Sequence, residues 1–91
     1  MLEMDVERAV CHYATENGWL VRKIVYPGRR GAPDRHFYRD GRLVIIEFKR
    51  PVGGRVSGNQ KREHERLAAA GFPVHLVNTI EHGKALLDGA A

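Results

Sequence analysis

The 91-residue sequence predicts a single α/β domain whose elements run in the order αβββαβα. Three observations carry this prediction. Apolar residues recur at helical spacing near both ends of the chain and again after residue 57. Two strand-like runs in the middle meet at Asp40-Gly41, and the chain is too short to divide into halves that could each bury a core.

From Asp5 to Asn17 the residues Val6, Ala9, Val10, Tyr13 and Ala14 fall at three- and four-residue steps, which predicts an amphipathic helix. Asp5 is its candidate N-cap and Gly18 its stop. Trp19 to Tyr26 is rich in aromatic and β-branched residues and reads as a strand, followed by a basic, glycine-containing loop through Gly31-Ala32-Pro33. Asp34–Arg39 and Arg42–Lys49 form a hairpin, because both central positions of its two-residue turn require φ > 0 and Asp-Gly accepts that. Leu43-Val44-Ile45-Ile46 is apolar on both alternating faces, so the second arm is a central strand covered on both sides. After a loop over residues 50–56, Ser57-Gly58-Asn59-Gln60 has the form of a capping box that opens a helix reaching Leu67 and stopping at Gly71. Val74 to Asn78 is a short strand, and Thr79 caps a last helix carrying Ile80, Leu86 and Leu87.

The hairpin also places chemistry. A two-residue turn at Asp40-Gly41 pairs Arg39 with Arg42, and each further pair keeps the residue-number sum of 81, so Asp34 faces Glu47. Opposed residues share a sheet face, and Lys49, two residues from Glu47, shares it too. Two carboxylates held so close on a buried sheet repel unless one is protonated or a cation lies between them. Carboxylate and carbonyl oxygens suit Mg2+ or Mn2+, which can acidify a bound water and polarise a phosphoryl oxygen while Lys49 offsets developing charge. A cross-strand salt bridge with no chemical role is the plainer alternative for the same three residues.

Sequence context favours the chemical reading. Gly31-Ala32-Pro33-Asp34, then Glu47-Phe48-Lys49 after a hairpin, then Ser57 and Gln60 opening a helix, then Leu67 and Gly71 before a strand, resembles the PD-(D/E)XK nuclease superfamily and, more narrowly, its VRR-NUC family. Glu7, eleven residues before Gly18, fits as well, and the resemblance covers nearly the whole chain. It implies a restriction-endonuclease-like αβββαβ core, with a mixed central sheet flanked by helices, forming one nuclease domain over residues 1–91. It further implies Mg2+- or Mn2+-dependent hydrolysis of DNA that leaves 5′-phosphate and 3′-hydroxyl ends. Asp34, Glu47 and the Phe48 carbonyl would hold the metal, Lys49 would act on the nucleophilic water, and Gln60 and Glu7 would complete the site. Gln60 has a structural alternative as the N3 residue of the capping box, and Glu7 as a solvated first-turn glutamate favoured by the helix dipole. A chain this short resembles stand-alone phage proteins of the family, which points to branched DNA such as four-way (Holliday) junctions and to the bacterial cytoplasm.

Composition agrees. Fifteen Lys and Arg against eleven Asp and Glu give a net charge of +4, with the arginines and lysines crowded between residues 29 and 66. This balance fits a polyanionic partner without demanding one, and the DNA partner is what the family resemblance implies. One cysteine cannot form an internal disulfide, and no apolar run approaches a membrane span. No pair of the five histidines has a convincing zinc spacing, although His64, one turn after Gln60, is a candidate for the substrate side. Gly53-Gly54, flanked by Arg50 and Arg55, lacks the Gly-Lys-Ser/Thr of a P-loop and reads as a basic loop against DNA phosphates. A homodimer is expected, since resolving a junction needs two symmetric cuts and Tyr13, Trp19, Phe37 and Phe72 exceed what a thin core obviously needs. The rival readings are a restriction-like or nicking endonuclease, an idle DNA-binding module, and a plain interaction protein.

Overall fold

The computed structural model describes residues 2–50 and 55–89, so Pro51, Val52 and the Gly53-Gly54 pair of the expected phosphate-contacting loop lie outside the described residues. The element order matches the sequence reading: α1 (Glu3–Glu16), β1 (Leu20–Lys23), β2 (Arg35–Arg39), β3 (Arg42–Phe48), α2 (Gly58–Ala69), β4 (Val74–Val77) and α3 (Ile80–Gly89). The strands form one mixed sheet in the order β1-β2-β3-β4. The first two pairings are antiparallel, whereas β3 and β4 are parallel and joined by the α2 crossover.

Asp40 and Gly41 both have positive φ, at 50° and 76°, as the hairpin turn requires. The β2–β3 register runs from Arg39 opposite Arg42 to Arg35 opposite Ile46, and it keeps the predicted sum. From Val44 to Phe48 every residue of β3 is buried, so this strand is covered on both faces.

The two faces differ. Val44, Ile46 and Phe48 join Phe37 and Val77 against Val6, Val10 and Ala14 of α1 and Leu87 of α3 in one apolar cluster. Ile45 and Glu47 point the other way, toward α2. Trp19 and Phe37 are spent on the core, and Tyr13 packs against it while its hydroxyl donates to Asp88 at 2.6 Å. Of the four aromatics expected to exceed the core, Phe72 alone is largely exposed, at 48%.

Two boundaries shift appreciably from those read in the sequence. Helix α1 begins at Glu3, so Asp5 is not its N-cap; Asp5 sits in the first turn and accepts from the Leu2 backbone N–H at 3.3 Å. Strand β1 ends at Lys23, and the last link to the hairpin arm is Ile24 N–H donating to the Asp34 carbonyl at 3.2 Å. Tyr26 then leaves the sheet because its hydroxyl is engaged by α2. At the C-terminal half the capping signals act as read: Ser57 and Gln60 form a reciprocal capping box, and the Thr79 hydroxyl accepts from His82 N–H at 3.1 Å.

Candidate active site

The parallel pair β3–β4 and the antiparallel pair β2–β3 end together at Glu47 and Phe48, where the chain leaves the sheet on one side through Lys49 and enters it on the other from Asp34. Asp34 stands one step beyond the last paired residue, Arg35, and its Oδ2 accepts from the Phe48 backbone N–H at 2.8 Å. That bond extends the hairpin register by a side chain and orients the Asp34 carboxylate against Glu47.

Glu47 is almost fully buried, at 2% exposure. Its Oε2 accepts from Gln60 Nε2 at 2.7 Å and lies 3.5 Å from Lys49 Nζ. Lys49 Nζ donates in turn to Gln60 Oε1 at 3.0 Å, and the same oxygen accepts from Ser57 N–H at 3.1 Å. Gln60 thus serves the cap of α2 and the carboxylate together, which makes its structural and functional readings compatible. Burial, and then the neighbouring Asp34 carboxylate, push Glu47 up to about 7 against the opposing pull of Lys49.

The second oxygen of Glu47, Oε1, is buried and has no hydrogen-bond partner among the described residues. An unsatisfied carboxylate oxygen beside a second carboxylate costs stability unless a proton or a cation lies between them. Among the described residues no group of three or more His, Cys, Asp or Glu side chains is arranged to hold a metal ion. A cation here would therefore draw on Asp34, Glu47, a backbone carbonyl such as that of Phe48, and water. Few protein oxygens and several waters suit Mg2+ or Mn2+ better than Ca2+.

Of the residues singled out in the sequence, Asp34, Glu47, Phe48, Lys49 and Gln60 come together, and Glu7 stands apart. It lies on the α1 face of the sheet, where Arg35 Nε donates to its Oε2 at 2.6 Å. Arg35 also feels the charge of Asp34, so Glu7 reaches the carboxylate pair through that guanidinium. His64 is half-buried on α2 with Nε2 lacking a partner among the described residues. Burial, followed by the charge of Lys49, holds its imidazole below the ordinary histidine range.

Two features were not read from the sequence. Glu63 is buried on α2 and accepts from the Tyr26 hydroxyl at 2.7 Å, tying the loop before Asp34 to the helix that carries Gln60. Its spacing of three from Gln60 puts both on one helix face and was the available signal; nothing local marked Tyr26. Gly31 is the second tie. It has φ of 97°, and a Cβ there would come within 2.7 Å of the Asn59 carbonyl oxygen, so any side chain would force the loop off the first turn of α2.

Comparison with known proteins agrees with this arrangement. No family model matches the chain. A curated phage protein described as "Putative nuclease p44", from Acyrthosiphon pisum secondary endosymbiont phage 1, is 35% identical over 78 residues, covering 85% of this chain and 83% of that protein. A solved VRR_NUC domain superposes with a TM-score of 0.88 at 30% identity, covering 98% of this chain and 97% of the other.

Proposed function

Since the chain belongs to the VRR-NUC family of nucleases, we propose that it is an endonuclease that hydrolyses DNA phosphodiester bonds with Mg2+ or Mn2+, selectively on branched DNA such as four-way junctions. The observation that carries the chemistry is the buried Glu47, with one oxygen unsatisfied, beside Asp34 and within reach of Lys49.

Asp34, Glu47 and the Phe48 carbonyl would hold the cation. Bound there, it would supply Lewis-acid polarisation of the phosphoryl group and favour ionised water near neutral pH. Lys49 is the cationic side chain of the site: its ammonium, 3.5 Å from Glu47, orients a water for attack and offsets the extra negative charge on phosphorus. Gln60 fixes that ammonium and the Glu47 carboxylate by one amide, accepting from the first and donating to the second. Arg35, clamped by Glu7, places fixed positive charge beside Asp34.

Branch selectivity and a homodimer go together in this reading. One small domain carries one such site, whereas a junction needs two cuts placed about its centre, which a two-fold pair supplies. Leu20, Tyr38, Phe72 and Leu76 leave apolar surface available for self-association. The test is incubation of the purified chain with linear duplex, flap and four-way-junction DNA in Mg2+, Mn2+ or EDTA, combined with light scattering. Metal-dependent cutting at symmetric positions on the junction by a dimer is expected. Equal cutting of all three substrates by a monomer would leave a nuclease without branch selectivity, and a protein that binds but never cuts would be the idle DNA-binding module.

A further inference from the structure

One turn along α2 from Gln60, the buried Glu63 carboxylate divides its two oxygens. Oε2 takes the Tyr26 hydroxyl, while Oε1 faces two guanidiniums, Arg66 at 3.4 Å and Arg29 at 3.7 Å. The buried carboxylate is anchored by the phenol on one oxygen, which leaves the other oxygen to the arginines. Arg29 also lies 5.7 Å from the centroid of the Tyr26 ring, which guides its side chain toward the same point.

A purely structural ion pair accounts poorly for this group. Both contacts are longer than a close charge-assisted hydrogen bond, and the arginine side chains remain 59% and 60% exposed. Pairs so open to water add little stability. Each guanidinium has five N–H donors, so most of the ten point to solvent. One carboxylate against two guanidiniums leaves a net charge of +1, and Glu63 offsets the repulsion that would otherwise drive the two arginines apart. The loop bearing Arg29 runs close against the start of α2, where a Cβ at Gly31 would lie 2.7 Å from the Asn59 carbonyl oxygen. Glu63 and Gln60 share a helix face, about 4.5 Å apart along the axis, so the arginine pair is held at a fixed offset from the carboxylates that surround Glu47.

We propose that Arg29 and Arg66, held about the buried Glu63 carboxylate by Tyr26, form a binding site for a backbone phosphate of the DNA flanking the one that is cut. The proposal deepens the nuclease reading and rests on it. Two forks converging on one anion are the geometry by which arginines hold phosphate oxygens. The role is to place the strand, so it belongs to binding and not to the chemical step.

The test compares the wild type with Arg29→Gln/Arg66→Gln and with a charge-matched control on the opposite sheet face, Arg8→Gln/Lys84→Gln. Equilibrium binding to labelled DNA is measured in EDTA across a salt series, and steady-state cleavage is measured with Mg2+ or Mn2+. The double arginine variant is expected to bind about tenfold or more weakly, with a salt slope smaller by about 1, and to show a raised KM with kcat little changed. Arg29→Lys/Arg66→Lys should recover the slope and only part of the affinity, since point charges replace forks. Removing both arginines leaves the Glu63 carboxylate without its cations, so melting temperatures are measured alongside, and the single variants, each of which keeps one guanidinium, should show a smaller loss of affinity in the same direction if the double variant is unstable. Wild-type protein that binds and cuts DNA, with an arginine variant indistinguishable from it in affinity, slope and KM, would overturn the site and leave the nuclease reading intact. A loss confined to kcat would overturn it as well, by moving the arginines into the chemistry. A wild type that neither binds nor cuts DNA would overturn both.

Discussion

Consecutive residues of β3 face opposite worlds. Phe48 and Ile46 turn toward α1 and α3 into a cluster that is apolar throughout, whereas Glu47 between them turns toward α2 and meets a carboxylate, an ammonium and an amide. The first face follows the ordinary rule of folding, in which area removed from water stabilises and every buried polar group is matched. The second breaks that rule at Glu47 Oε1 and at the Nε2 atoms of His36 and His64. Among the described residues these unmatched buried polar atoms lie on one side of the sheet and not on the other. The dry face must supply the free energy that tolerates the wet one.

That contrast is broken most sharply at Glu47. Glu47→Gln keeps the shape of the side chain but removes the charge, and cleavage is expected to fall by at least about 10³-fold, the scale seen when one member of a cooperating catalytic group is lost. Stability without added metal should rise, because the repulsion from Asp34 disappears. DNA binding should be unchanged or tighter. A thermal melt and a cleavage assay on the same preparation check both halves; full activity, or a large loss of stability, would show that the carboxylate is a structural ion pair.

The neighbouring substitution sharpens the comparison from the other side. Phe48 is fully buried in the apolar cluster, and Phe48→Ala should cost about 3–5 kcal/mol in urea unfolding. Any loss of activity should follow the fraction folded, since the backbone carbonyl assigned to the cation is untouched. A variant with wild-type stability and no cleavage would reverse the roles assigned to the two faces.

Gln60 lies where the two faces' logics overlap, and a pair of variants separates them. Ser57→Ala removes one half of the capping box and should cost about 1 kcal/mol with turnover retained. Gln60→Ala should cost a similar amount of stability and also lower kcat, because Lys49 and Glu47 both lose a partner. If the two variants were equal in turnover, Gln60 would be a cap alone.

How much of this was legible in the sequence depends on range. The carboxylate pair followed from a local device, the Asp40-Gly41 turn, whose register propagates residue by residue along both arms. Ser57 and Gln60 were legible for the same reason, as partners three residues apart. The Arg35 partner of Glu7 was not, since 28 residues separate them and helix periodicity does not say which side chain of the sheet a helix will meet. The Tyr26–Glu63 bond spans 37 residues and was invisible for the same cause. It also explains why β1 stopped short of its apolar run: the strand propensity of residues 24–26 yielded to a tertiary contact. The first turn of α1 was misread at Asp5 because an aspartate favours both the cap and the first turn of a helix, and sequence alone does not distinguish them.

The smallest effect expected is a pH dependence that belongs to Glu47. Its carboxyl is raised from the ordinary 4.5 to about 7 in the fold, chiefly by burial and then by Asp34. A raised folded pKa means that the native state holds the proton more tightly than the unfolded chain does, so the contribution to stability is complete below about 4.5 and is lost as pH rises through about 7. Without divalent metal, the melting temperature should therefore decline over that window more than in Glu47→Gln, which has no proton to lose. Cation binding requires the ionised carboxylate and should oppose the decline, with apparent affinity for Mg2+ or Mn2+ rising across the same range and protons released on binding. Melting curves at several pH values, with EDTA or with Mn2+, check the sign directly. Parallel profiles for the wild type and Glu47→Gln would assign the titration to another group and remove the electrostatic contrast between the two faces of β3.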